Sequence, residues 1–153
     1  MYELHWTEYL KALGPTIIAV FVAYIAYQQW RVNKASLRER LFERRIAVFK
    51  QTQTFLSEIL RDAKCSDDNL LNFHDTPQIA RFLFDKKMSD YLSEVRKRAL
   101  KLRFYSAKLE ALPVGDERSK MVDLEGEELK WLTDQLAVIF ERFEPYLNFS
   151  KHR

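Results

Sequence analysis

Residues 10–30, LKALGPTIIAVFVAYIAYQQW, hold no ionised side chain after Lys11. A helix over this stretch is roughly 30 Å long at about 1.5 Å per residue, the thickness of a bilayer's hydrocarbon core. Leu10, Ile17, Ile18, Phe21 and Ile25 supply its apolar content, and Trp30 closes it. On an insertion scale the central apolar residues together favour the bilayer by about 2–4 kcal/mol. Trp6 and Tyr9 stand at one end and Tyr27 and Trp30 at the other, where aromatic rings suit the headgroup regions. Pro15 falls early, where a helix tolerates proline best. The expectation is a transmembrane helix, with residues 1–30 as an anchor and residues 31–153 as the body.

Two other readings compete. A signal peptide needs a basic start and a small-residue cleavage site, whereas this start carries Glu3 and Glu8 and AYIAYQQW offers no such site. A buried core helix is the other, because the densest apolar run, residues 17–27, is short for a span by itself. Orientation follows from the flank: Arg31, Lys34, Arg38, Arg40, Arg44 and Arg45 crowd its C-terminal side. The positive-inside rule puts the body in the cytoplasm and the N-terminus outside, with the chain single-pass. Arg31, Lys34 and Arg38 lie close enough to the span to meet anionic lipid headgroups.

The body reads as helical. Residues 31–64 contain neither Gly nor Pro, and Phe42, Ile46, Phe49, Gln53, Leu56, Leu60 and Ala63 recur at steps of four and three. Residues 65–78 are rich in turn formers, and residues 79–84 form a short apolar patch suited to a helical turn or a lid. In 86–112, Met88, Leu92, Val95, Ala99, Leu102, Ser106 and Leu109 keep the same spacing. Pro113 and Gly115 make a turn into a last helix, 116–144, whose row is Val122, Leu129, Leu132, Leu136, Ile139 and Phe143. The expected fold is therefore all-α: one membrane helix continuing into an antiparallel three-helix coiled-coil bundle of helices 31–64, 86–112 and 116–144. Ala19 and Ala23 form a small-xxx-small pair that would let spans pack closely.

The segments AYIAYQQWRVNKASLRERLFERRIAVF, ARFLFDKKMSDYLSEVRKRALKLR and VGDERSKMVDLEGEELKWLTDQLAVIFERFEPYL resemble a group of small bacterial membrane proteins of uncharacterised activity. The resemblance covers nearly the whole chain. It implies one N-terminal span and a charged cytoplasmic helical body, and it brings no catalytic residues with it.

Chemistry-bearing motifs are scarce. His5, His74 and His152 are far apart in sequence, and Cys65, Asp67, Asp68, His74 and Asp75 share a loop without a zinc or EF-hand spacing. No Walker-type, dinucleotide-binding, nucleophile-elbow or zincin motif occurs, so neither an enzyme, a cofactor nor a small-molecule substrate is expected. The single cysteine rules out an intrachain disulfide. Glu39 and Glu43 interleave the basic flank, which argues against nucleic acid. The expected function is a membrane-anchored scaffold presenting a helical surface to a protein partner or to its own copies, with lipid as the other partner. The alternative is a membrane-active effector of the phage-defence or phage-exclusion type, acting through oligomerisation.

Overall fold

A computed structural model describes the backbone of residues 4–148 and the side chains of residues 14–148. The described residues form five helices and no strand: α1 (Leu4–Asp62), α2 (Asp67–Phe73), α3 (Thr76–Leu83), α4 (Lys86–Ala111) and α5 (Asp116–Leu147). The chain divides into two compact units, Met1–Leu41 and Phe42–Arg153, so the division falls within α1 and C-terminal to Trp30.

In the first unit α1 is helical throughout its described part, and Pro15 lies inside it. Its large apolar side chains from Ile17 to Trp30 are all exposed. Among the described residues no helix is long and apolar enough to cross a membrane. Described side chains begin at Gly14, four residues inside the apolar stretch 10–30, and the side chain of Leu10 lies outside them.

The second unit has a single core, to which every helix contributes. Val48, Phe55, Leu56 and Ile59 come from α1, Phe73 from α2, Ala80 and Leu83 from α3, Leu92, Val95 and Leu102 from α4, and Leu132, Ile139 and Phe143 from α5. The path is up-down-up-down rather than the three strands expected, because residues 67–83 form a strand of the bundle in two pieces. Going from Asn69 to Leu83 the chain passes Glu58 first and Arg44 last, antiparallel to α1. The Phe55 and Phe73 rings stack at 4.2 Å near one end, and Arg45 Nε donates to the Leu83 carbonyl at 2.9 Å near the other. α4 then runs parallel to α1 and antiparallel to α5.

Local chemistry explains the divided strand. Ser66 Oγ accepts the Asn69 N–H at 3.1 Å and starts α2. Pro77 sits in the first turn of α3, where its missing N–H costs nothing. Leu70, Phe73, Ala80 and Leu83 all turn toward the core. α1 stops at Asp62 because Ala63 takes a positive φ of 49°, a left-handed terminator made without glycine. The stripe expected to continue through Leu60 to Ala63 therefore ends early, and Leu60 is exposed.

The α4 row lies where its spacing puts it, with Met88, Leu92, Val95, Ala99, Leu102 and Leu109 buried. The α5 row does so only in part. Val122 is 49% exposed, Leu129 and Leu136 are half-buried, and the fully buried positions include Glu128 and Gln135 alongside Leu132, Ile139 and Phe143. α5 also runs past the expected end at 144, carrying Pro145 in its last turn.

Candidate interaction surface

The residues expected to meet lipid are placed as an unpacked helix. Ile17, Ile18, Phe21, Ile25 and Trp30 are exposed, as are Ala19 and Ala23. Trp30 stacks on Tyr27 at 6.1 Å, and the Lys34 ammonium lies 4.9 Å from the Trp30 ring centre. Arg31 and Arg38 are exposed. Trp6, Tyr9 and His5 at one end, and Phe149 and His152 at the other, lie outside the described side chains.

The expected packing residues separate into two groups. Leu56, Leu92, Leu102, Leu132 and Ile139 are fully buried. Phe42, Phe49 and Leu136 are half-buried. Phe49 leads to the surface, because it meets Phe140 edge-on at 5.2 Å and Phe143 at 5.3 Å, and Phe140 is 56% exposed.

Two apolar hollows flank one stretch of α1, residues 44–51. The first, of about 410 Å³, lies between α1 and the end of α5 and is lined by Ile46, Phe49, Phe140, Phe143 and Leu147. Its rim carries Glu141, Glu144 and Lys50. The second, of about 520 Å³, lies between α1 and α3 against Ala47, Val48, Ile79 and Leu83. Arg44 borders it, and Phe82 projects beside it with 89% of its surface in solvent. A phenyl ring that far out of the core is one of the strongest apolar exposures of the unit.

Arg45 holds the two hollows in register. Its Nε donates to Leu83 O at 2.9 Å, its Nη1 to Tyr146 O at 3.3 Å, and its guanidinium lies 5.7 Å from the Phe84 ring centre. It thereby satisfies carbonyls at the C-terminal ends of α3 and α5, which their helices leave unpaired. The sequence alone groups Arg45 with the basic flank; its half-burial assigns it to the interior. Beside it, the Tyr146 phenol hydrogen-bonds the Asp85 carboxylate, which also accepts the Met88 N–H at 3.0 Å. That pairing lowers the Asp85 pKa, while burial and the Asp85 hydrogen bond push Tyr146 up to about 12.

The remaining polar groups are structural. Glu128 is held by Arg98 at 3.2 Å and Lys101 at 3.4 Å, and Arg98 also reaches Glu94 at 3.0 Å and stacks 4.4 Å over Trp131. Sequence reading passes over Glu128 because a glutamate in a charged helix resembles a solvated one. Its position four before Leu132 in the buried row was the available signal. Among the described residues no group of three or more His, Cys, Asp or Glu side chains could hold a metal ion. His74 instead meets Arg96 Nη2 at 2.8 Å, and Asp67 pairs with Arg103 at 2.8 Å. Cys65 is buried, and burial pushes its thiol up to about 12, away from nucleophilic chemistry.

No protein-family model, curated protein or solved structure matches this chain.

Proposed function

We propose that the chain is a membrane-anchored interaction module. Residues 10–30 cross a bacterial inner membrane once with the N-terminus outside, and the helical bundle presents its apolar hollows on the cytoplasmic side. The observation that carries this reading is the set of bare apolar side chains on α1. Ile17, Ile18, Val20, Phe21, Val22 and Tyr24 point to every side of the helix, and all are more than half exposed. A soluble helix keeps one face polar, and a helix apolar all round needs an apolar surrounding. The basic residues Arg31, Lys34 and Arg38 follow directly, in the place where anionic headgroups attract them.

The hollows beside α1 supply the interaction half of the reading. Two-dimensional confinement raises the effective concentration of such a surface toward its partner without any catalysis. Alkaline carbonate extraction of membranes from cells making the full chain tests the anchor. The wild type is expected to remain in the pellet, and Phe21→Arg to move to the supernatant, since arginine at mid-span costs about 2.5–3.5 kcal/mol. Wild-type chain in the supernatant would sink the reading.

A further inference from the structure

The two hollows differ in a way that makes them complementary. One is a phenylalanine-lined socket whose rim carries two carboxylates, Glu141 and Glu144, against one ammonium, Lys50. The other carries a protruding ring, Phe82, with basic neighbours Arg44 and Arg81. Neither Arg44 nor Arg81 has a carboxylate within ion-pair distance among the described residues, whereas Arg98, Lys101 and Arg103 are all paired. Phe82 is too far out to serve its own core, and a half-open socket lined by Phe49, Phe140 and Phe143 is chemically what such a ring fills.

The placement matters as much as the chemistry. Socket and knob abut the same two turns of α1: Ile46, Phe49 and Lys50 on one side, Ala47, Val48 and Gln51 on the other. With 3.6 residues per turn these sets fall on nearly opposite faces of the helix, at the same level along its axis. Copies anchored through one span share one orientation, so surfaces that meet laterally lie at equal depth, and a knob and socket on nearly opposite faces cannot engage reciprocally within one pair. We infer that Phe82 of one copy seats in the Phe49–Phe140–Phe143 socket of a second copy, with Arg44 and Arg81 against Glu141 and Glu144. The contact is heterologous, so each copy uses both faces and the association continues into a ring or a row. This inference takes the shared orientation from the membrane reading; the knob and socket themselves do not depend on it.

The test replaces Phe82 by the photoreactive benzoylphenylalanine in the full chain, illuminated in cells beside a differently tagged copy. The expected product has twice the chain mass, contains both tags, and carries the crosslink within residues 140–147 of the second copy. Phe82→Ala is expected to weaken self-association about 30-fold, the loss typical of a central aromatic anchor. Glu144→Lys should lower the crosslink yield about two- to fivefold, and Arg81→Glu in the photoreactive copy should restore it. Capture only of lipid, of other proteins or of the chain's own residues at monomer mass overturns the inference. Carbonate extraction of the same cells separates the two ideas. Anchored chain without the two-tag adduct defeats the pairing alone, and extracted chain that still forms the adduct defeats the span alone.

Discussion

Helix α1 runs through two settings. Before Leu41 its large apolar side chains face outward on every side; after Phe42 the helix shows one buried stripe, Val48, Thr52, Phe55, Leu56 and Ile59, and its exposed positions are mostly polar, among them Lys50, Gln51, Thr54, Ser57 and Arg61. Apolar density belongs to the first stretch and apolar periodicity to the second. Density without periodicity gives a helix no single face to turn toward other helices of its chain. Periodicity at low density gives the helix a direction, so its partners can be other helices of the same chain.

A pair of equal truncations breaks this comparison most sharply. Leu56→Ala should cost the bundle about 2–5 kcal/mol, while Ile18→Ala should leave its melting within about 0.5 kcal/mol. Thermal denaturation followed by far-ultraviolet circular dichroism in mild detergent measures both. Equal losses at the two sites would show that the two stretches share one core. Arg45→Met removes two charged donors from the carbonyls of Leu83 and Tyr146 and should cost about 2 kcal/mol, whereas Arg38→Met, on an exposed turn earlier, should be neutral. Urea denaturation of the two variants resolves that difference.

Glu128→Ala should cost about 1–2 kcal/mol, less than a fully buried pair, because Arg98 and Lys101 keep 30% and 46% of their side-chain surface in water. Ala63→Gly should stabilise by about 1 kcal/mol by relieving the left-handed residue that ends α1. The smallest effect is one of pH. Asp85 is more acidic folded than unfolded, so its contribution is complete above its ordinary pKa of 3.8 and disappears as pH falls through the lower folded value. Tyr146 acts in the opposite sense, losing its contribution as pH rises from about 10 to about 12. Residues 14–30 carry no carboxylate, so acid should loosen the bundle and leave that stretch helical. Asp85→Asn should weaken the acid response and leave the part that Asp67 contributes through Arg103.

The all-helical class and the α4 seam were legible because leucine, valine and alanine at regular steps have one physical reading. Residues 67–83 were not. Their turn formers suggest a loop, yet Ser66 and Pro77 start helices rather than prevent them, and Phe73, Ala80 and Leu83 are spaced across the interruption. α5 misled because its true row contains Glu128 and Gln135, which composition counts as surface. In the sequence the aromatic end of α5, Phe140, Phe143, Tyr146, Leu147 and Phe149, reads first as a cap on the core and only second as a docking patch, and nothing in residues 79–84 tells which of Phe82 and Phe84 points outward.

Arg45 also orders events during synthesis. Its two carbonyl partners lie 38 and 101 residues downstream. Tyr146, whose carbonyl accepts the second bond, is made 101 residues after Arg45, and Phe143, which closes the core over Phe49, only just before it. Until then the stripe from Val48 to Ile59 is covered only from the side of α2, α3 and α4, and its α5 side stays open. Nascent copies made side by side on one message would hold such open stripes close together, and truncation shortly before Tyr146 should trap them there as aggregates.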